Sequence, residues 1–290
     1  MQRDLLDIDP PPDADPHPPR HFTLPAGAVD THAHVIGTRY IDERSYTPHP
    51  APASAYLRML DATGMTYGVL IQVSVHGTVN RLLVETLRDN PRRLRGVAVT
   101  PPDLGDGGWR ELKEAGVVGL RLNTTTGGGV GGAGPDRYEA ICAGLGWHLQ
   151  FLVEPGKLPA LAGQVSRLRV PAVFDHMGYL DPSVGMGNEA QTLVQLVRDG
   201  AWVKLSGGFR NSRQAPPYAD TVPIARALVE AAPERCVWGS DWPHLSFRGT
   251  MPNTGDLLDL LAEWAPDEKI RNAILVDNPH RLYGFPSRHP

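Results

Sequence analysis

The feature that most constrains the fold is a repeat of short apolar runs, each followed by a longer segment with helical spacing. Eight runs follow the first 25 residues, and each is continuously apolar rather than alternating. Such runs are typical of parallel strands buried on both faces. They span residues 28–35, 67–74, 94–100, 117–123, 148–154, 170–176, 201–206 and 235–241. Eight β/α units spaced by about 30 residues predict an α/β chain folded as a (β/α)8 barrel.

The segments between the runs support this division. Most end at a glycine or just before a proline, as helices commonly do. The predicted helices are 54–63, 79–90, 109–115, 189–199 and 221–232. An open, doubly wound sheet is the alternative, and the strand number of eight favours the barrel. We expect residues 1–25 to form a flexible proline-rich arm and residues 26–290 to form a single barrel domain.

Composition narrows the class of partner. The net charge of -4 argues against nucleic acid or an anionic membrane as the main partner. We find no apolar run near the roughly 18 residues of a membrane span, and the polar N-terminus is unlike a secretory signal. The two cysteines, Cys142 and Cys236, form no CxxC pair, which predicts a cytoplasmic protein without disulfides.

Polar side chains collect at the ends of the runs, where the active sites of barrels lie. These residues are His32, His34, Ser74, His76, Arg121, Asn123, Glu154, Asp175, His176, Ser206, Arg210, Ser240 and Asp241. His32 and His34 are two residues apart, so in a strand they point to the same face. They either form a solvated pair or project together into the barrel mouth. Asp241 ends the eighth run, which lies beside the first when a barrel closes.

At this point the chain resembles the amidohydrolase superfamily, in its amidohydrolase 2 branch. Within that branch it is similar to 2-pyrone-4,6-dicarboxylate lactonase and related sugar lactonases. The segments that carry the resemblance are VDTHAHVIG (29–37), QVSVHGTVN (72–80), GLRLN (119–123), FDHMG (174–178), VWGSDWPH (237–244) and DNPHRLYGF (277–285). They cover nearly all of the chain after the predicted arm.

The resemblance implies a role for each matching position. Asp241 would be the general base that activates water, with three histidines around the water and the scissile carbonyl: His32, His34 and His176. The residues implied in substrate binding are Arg121, Arg210, Ser74, His76, Tyr46 and Asn123. The substrate implied is a small anionic lactone; the oligomeric state stays open.

Two positions depart from the dinuclear members of the superfamily. Arg121 stands where those members place a metal-bridging lysine or glutamate. His148 begins its strand, roughly 20 Å from the mouth at about 3.3 Å per residue, so we expect it to be no ligand. The resemblance therefore implies either no required cofactor or one divalent ion, zinc or manganese, held by His32, His34, His176 and Asp241.

Arg121 lies inside an apolar run, where an unpaired charge is costly. Either an internal acid neutralises it, with Glu154 as a candidate, or an anionic ligand does. Arg210 is either a ligand-binding residue or a solvated loop arginine. The glycine-rich stretch 124–135 lacks a phosphate-loop pattern and is either a closing loop or a plain flexible one.

Three classes of function follow from this site. The first is hydrolysis of a small anionic lactone by water attack at the ring carbonyl. The second is another reaction on the same barrel, namely lactone isomerisation or metal-dependent decarboxylation; the absence of a histidine at the fifth strand end counts against decarboxylation. The third is a catalytically inactive binding protein, which the presence of all four central residues disfavours.

Overall fold

A computed structural model of the chain describes residues 7–123, 134–247 and 249–286. Eight strands form one parallel sheet in sequential order, which confirms the predicted (β/α)8 barrel. All eight apolar runs contain a strand. The strands are β1 (Val29–Ala33), β2 (Tyr67–Ile71), β3 (Leu94–Ala98), β4 (Val117–Asn123), β5 (His148–Leu152), β6 (Ala172–Phe174), β7 (Trp202–Leu205) and β8 (Cys236–Trp238). The predicted loop 124–135 falls largely outside the described residues.

Helices surround the sheet. They are α1 (Ala53–Thr63), α2 (Arg81–Asp89), α3 (Asp106–Ala115), α4 (Pro135–Leu145), α5 (Leu158–Val165), α6 (Asn188–Arg198), α7 (Gly208–Asn211), α8 (Val222–Ala231), α9 (Thr254–Trp264), α10 (Glu268–Asn272) and α11 (Asn278–Tyr283). A π-helical turn, Ala273–Asp277, joins the last two. Helix α1 ends at Gly64 in the left-handed conformation (φ 85°), as the sequence predicts.

The sheet closes through the backbone just beyond β8. The amide of Asp241 donates to the carbonyl of His32 at 2.8 Å, and the amide of His34 donates to the carbonyl of Trp242 at 2.8 Å. A parallel bridge also pairs Ala33 with Trp242. We call this junction the seam. The seam places the HxH pair and Asp241 side by side.

A buried carboxylate fixes the seam from outside the barrel. Asp30 accepts hydrogen bonds from the amide of Ser240 at 2.8 Å, from the hydroxyl of Ser240 at 2.6 Å and from the hydroxyl of Tyr56 at 3.1 Å. Burial raises the pKa of Asp30 to about 6, and these hydrogen bonds oppose the shift. Asp30 therefore ties β1, α1 and the turn after β8 together.

The opposite end of the barrel is filled by His148 and Tyr283. Their rings meet edge to face with centroids 5.3 Å apart. His148 is buried at the start of β5, as expected, and its imidazole covers Gly119 on the neighbouring strand. His148 thus packs against the neighbouring strand at the start of β5.

The segment before β1 contacts the barrel at several points. The amides of Arg20 and His21 donate to the Asp259 carboxylate on α9 at 2.8–3.1 Å. Further along, the guanidinium of Arg271 lies 4.6 Å from the ring of Phe22. The division of the chain into an arm and a barrel at residue 25 stays a prediction.

Two further sequence expectations concern the membrane and the thiols. Among the described residues, we find no helix with the length and apolar character needed to cross a membrane. Cys142 and Cys236 are both buried free thiols.

The Gly119–His148 contact generates a prediction. A Cβ at Gly119 would lie 2.3 Å from Cε1 of the buried His148, so Gly119→Ala should lower the free energy of unfolding by roughly 1–3 kcal/mol. Urea unfolding checks this. Gly144→Ala, in α4 with open space around it, is the matched control and should be neutral or stabilising. Equal stability of the Gly119 variant and wild type would contradict the packing.

Candidate active site

Four predicted residues converge at the carboxyl end of the strands. The Nε2 atoms of His32, His34 and His176 lie 3.8, 3.7 and 3.9 Å from Oδ1 of Asp241. All four side chains are almost completely buried. We call them the central cluster. The sequence placed them at three different strand ends, and barrel closure brings them within reach of a single small group.

A strained backbone conformation sets the direction of two side chains of the central cluster. His176 and Asp241 follow β6 and β8 with φ values of 50° and 61°. The left-handed conformation costs a non-glycine residue roughly 1–2 kcal/mol, so the surrounding contacts must hold it in place. Asn211 does so for His176 by donating to its carbonyl at 2.8 Å.

Hydrogen bonds fix the orientation of the cluster histidines. Nδ1 of His34 lies 2.8 Å from the carbonyl oxygen of Ile71, which can only accept, so this nitrogen carries a proton. Nδ1 of His32 faces Oδ1 of Asp175 at 3.2 Å. Nζ of Lys204 also lies 3.3 Å from Nδ1 of His32. With its proton on Nδ1, His34 presents Nε2 toward the Asp241 carboxylate.

This donor set fits one divalent ion. Nε2 of His32 and Oδ1 of Asp241 are buried atoms without a hydrogen-bond partner among the described residues. Converging imidazole nitrogens and a carboxylate oxygen are ligands that zinc prefers. One group of three that could hold an ion is His32, His34 and Asp241. Burial lowers the pKa of His176 to about 4, so its ring is neutral and able to ligate at pH 7.

A second ion has no comparable place at Asp175. This residue, with His32 and His176, forms the other possible group. However, the Asp175 carboxylate already lies 3.0 Å from Nε of Arg121 and 3.5 Å from Nζ of Lys204. Two fixed cations oppose a third at that position.

Arg210 forms an ion pair with the central carboxylate. Its Nε donates to Oδ2 of Asp241 through a short hydrogen bond. Burial alone would raise the pKa of Asp241, but the Arg210 guanidinium, followed by the His176 imidazole, holds that pKa well below its usual range. Asp241 is therefore a carboxylate at neutral pH, with Oδ1 left for another group.

The internal partner of Arg121 is Asp175, and the Glu154 interpretation is wrong. Glu154 is exposed beyond the end of β5 and pairs with Lys157 at 3.1 Å. Strands β4 and β6 both flank β5, so interior side chains from the two can meet across it. Arg121 also lines the cavity described next, so an internal partner and a ligand are both within its reach.

A cavity of about 130 Å³ lies above the central cluster. Its lining includes most of the predicted site residues. They are His34, Tyr46, Ser74, Arg121, Asn123, His176, Arg210 and Asp241. Val73, Leu152, Tyr179, Leu245 and Ser246 complete it. The volume suits a small ring with a few substituents.

Two predicted site residues lie outside this cavity. His32 sits beneath it and is fully buried. His76 lines a neighbouring cavity of about 400 Å³, where its ring stacks on Tyr40 at 6.3 Å. A short 3-10 turn, Ser74–His76, begins at Ser74 and ends at His76. Its two end residues line different cavities. Burial, with a smaller contribution from His34, lowers the pKa of His76 to about 4.

Sequence reasoning missed a polar network beneath the cluster. Nζ of Lys204 donates to the carbonyl of Thr31 and to Oε1 of Gln150, both at 2.9 Å. Nε2 of Gln150 in turn donates to Asp175 at 2.9 Å. Burial lowers the pKa of Lys204 to about 8, and the Asp175 carboxylate opposes this shift. The signal was a charged residue within the apolar run AWVKLS, as for Arg121.

The barrel and its buried His/Asp cluster define a hydrolase-type site at the carboxyl end of the strands. The profile of the family described as Amidohydrolase matches residues 29–285. The chain belongs to this amidohydrolase family.

Curated relatives extend the likeness. The 4-sulfomuconolactone hydrolase of Hydrogenophaga intermedia is 37% identical over 277 residues, which is 92% of this chain and 91% of the relative. The 2-pyrone-4,6-dicarboxylate hydrolase of Comamonas testosteroni is 35% identical over 288 residues, with 93% and 94% covered. Both relatives are named as hydrolases.

A solved structure is similar along the same length. It is a probable 2-pyrone-4,6-dicarboxylic acid hydrolase from Acinetobacter baumannii with citric acid bound. The two folds superpose with a TM-score of 0.79 at 28% sequence identity, covering 89% of this chain and all of the other.

The ligand geometry predicts at most one equivalent of divalent metal per chain, because cations already occupy the surroundings of Asp175. Elemental analysis of protein purified without chelator checks this. If the protein binds metal, the metal content per chain should fall sharply in His34→Gln. His49→Gln, at an exposed histidine, should have the metal content of wild type. Two equivalents of zinc or manganese would contradict the prediction.

Proposed function

We propose that this protein hydrolyses a small anionic lactone, with Asp241 as the general base. The observation that carries the proposal is the central cluster, in which an ionised, buried carboxylate presents one oxygen to three imidazole nitrogens. Sequence similarity to two lactone hydrolases supports the choice of substrate class.

In the proposed reaction, Oδ1 of Asp241 takes a proton from water as the water oxygen attacks the ring carbonyl carbon. The bond between that carbon and the ring oxygen then breaks, and the ring oxygen takes the proton held by Asp241. The new carboxylic acid releases its own proton to solvent. The product is an open chain with a new carboxylate. Burial of the cluster strengthens each electrostatic contact during this step.

We propose one divalent ion as the cofactor that the cluster holds, with His32, His34, His176 and Asp241 as its ligands. A bound ion of this kind would lower the pKa of water and polarise the carbonyl. Whichever way the water is activated, the chain's own residues orient it. His34 and His32 keep their Nε2 atoms directed inward because Ile71 and Asp175 bind their Nδ1 atoms.

The substrate's charge is proposed from the arginines. Arg121 and Arg210 both line the cavity, and a guanidinium binds a carboxylate or sulfonate through parallel hydrogen bonds. Ser74, Tyr46 and Asn123 are proposed to bind the remaining polar groups of the ring. The hydroxyls of Tyr46 and Ser74 lie 3.1 Å apart, so they act as one polar wall. His76 would reach substrate only through the neighbouring cavity.

Product analysis separates the open alternatives. Hydrolysis yields an open-chain acid and one proton per turnover, whereas lactone isomerisation consumes no water and decarboxylation releases carbon dioxide. A binding protein would show saturation without turnover. A panel of carboxylated lactones, followed by ring absorbance and proton release, tests the proposal directly. The cytoplasmic location stays a prediction.

Asp241→Asn tests the proposed base. The amide cannot accept the proton from water, so kcat should fall by about 10²–10⁴-fold while the barrel stays folded. Steady-state kinetics and circular dichroism measure the two effects. Asp89→Asn, at the exposed end of α2, is the control and should keep wild-type kcat. A folded Asp241 variant with nearly normal kcat would overturn the assignment.

Arg121→Met tests the proposed anion contact. It keeps most of the stem and removes the charge, so KM should rise about 10- to 100-fold for a carboxylated lactone and much less for a matched neutral one. The melting temperature should change little, because Lys204 and Gln150 still bind Asp175.

The same comparison separates this role from internal pairing. If Arg121 served only to neutralise Asp175, Arg121→Met would lower kcat/KM equally for both lactones. The melting temperature of the variant would also drop strongly. Arg169→Met, at an exposed arginine, provides the kinetic baseline for loss of one positive charge.

A further inference from the structure

The start of the described chain reaches two walls of the catalytic cavity. The amide of Asp9 donates to the carbonyl of Thr47 at 2.9 Å, and Ile8 forms a parallel bridge with Thr47. The Asp9 carboxylate accepts from the amide of Ser246 at 2.8 Å. We call residues 8–9 the strap.

Both attachment points adjoin the cavity lining. Tyr46, next to Thr47, lines the cavity on one side, and Ser246 lines it on the other. These walls belong to loops that follow β1 and β8, and they are separated by about 200 residues of sequence. We propose that Asp9 is a positioning residue that holds the Tyr46 wall and the Ser246 wall at the separation needed to bind substrate.

The turn that Asp9 holds is under backbone strain. Between Asp241 and Ser246, three residues other than glycine have positive φ: Asp241 at 61°, His244 at 63° and Ser246 at 61°. Such conformations persist only when neighbouring contacts outweigh their cost. The Asp9 carboxylate supplies one of these contacts at the distal end of the turn, since it binds the Ser246 amide. Loss of the acceptor should let this end of the turn relax.

The acceptor, rather than the charge, is the proposed contribution. Asp9 is buried, with 4% of its surface exposed, on the side of a cavity that we propose for an anionic substrate. A negative charge there opposes anion binding, so attraction of substrate does not explain its position. The negative charge of Asp9 also affects the pKa of Tyr46. Burial raises the pKa of Tyr46 to about 12, and Asp9 acts in the same direction, so the hydroxyl stays protonated.

Three substitutions separate the acceptor from the charge. Asp9→Ala removes both, Asp9→Asn keeps an acceptor oxygen without the charge, and Asp9→Glu keeps the charge but displaces the acceptor by one methylene. We expect the Ala and Glu variants to raise KM about 3- to 10-fold with little change in kcat. The Asn variant should stay close to wild type. Should the Ala variant not fold, the Glu variant carries the same expectation.

Asp13→Ala is the matched control on the same arm. Asp13 binds the side chain of Asn253, which lies outside the cavity lining. This variant should keep wild-type KM even if its melting temperature falls. An equal rise in KM for the Asp13 and Asp9 variants would overturn the assignment to Asp9, as would equal effects of Asn and Ala at position 9. Wild-type KM in Asp9→Ala would overturn it outright.

The kinetic test rests on the proposed lactone hydrolysis, so a second measurement is independent of substrate. Amide hydrogen exchange, followed by mass spectrometry, should quicken in peptides covering 40–48 and 241–247 for the Ala and Glu variants and stay unchanged for Asn. If the wild-type protein opened no lactone, the proposed function would fail. The exchange result would still show whether Asp9 holds the two walls of the cavity. Unchanged exchange in Asp9→Ala would refute this role.

Discussion

The backbone seam between β1 and the turn after β8 is the constraint on which the site depends. The hydrogen bond from the Asp241 amide to the His32 carbonyl both closes the barrel and sets the distance between the two residues. Asp30 holds the same junction from outside through Ser240 and Tyr56. Closure and chemistry therefore use one set of contacts, and an error in strand register at the seam would separate the central cluster.

The layer beneath the cluster explains how its rings keep their orientation. A barrel interior is normally filled by apolar side chains, yet here Lys204, Gln150 and Asp175 form a hydrogen-bonded network. Such a network rigidifies a core when its members are satisfied. Its upper edge is Oδ1 of Asp175, which faces Nδ1 of His32. The network thus holds Asp175 in place, and Asp175 in turn orients the His32 ring through its Nδ1 atom.

The sequence predicts the eight strands because both faces of each are buried and the apolar runs are continuous. It also predicts the central cluster, since each member lies at or near the end of an apolar run. Pairing across the interior is harder to predict. Arg121 meets Asp175 rather than Glu154 because β5 ends at Leu152, which leaves Glu154 outside. His76 leaves the cavity because the chain after β2 turns at once into a 3-10 helix. Both outcomes depend on where a strand ends, which apolar periodicity locates only to within a few residues.

The net charge of the side chains around the cavity bears on the charge of the proposed substrate. Among the charged side chains that line the cavity, the guanidiniums of Arg121 and Arg210 face one carboxylate, that of Asp241, so one positive charge is in excess at the cavity surface. Lys204, Asp175 and Asp30 are outside this lining. In a buried site such an excess is costly unless an anion neutralises it. A divalent ion at the central cluster would add to this excess. Either state of the cluster therefore favours a substrate with at least one negative group.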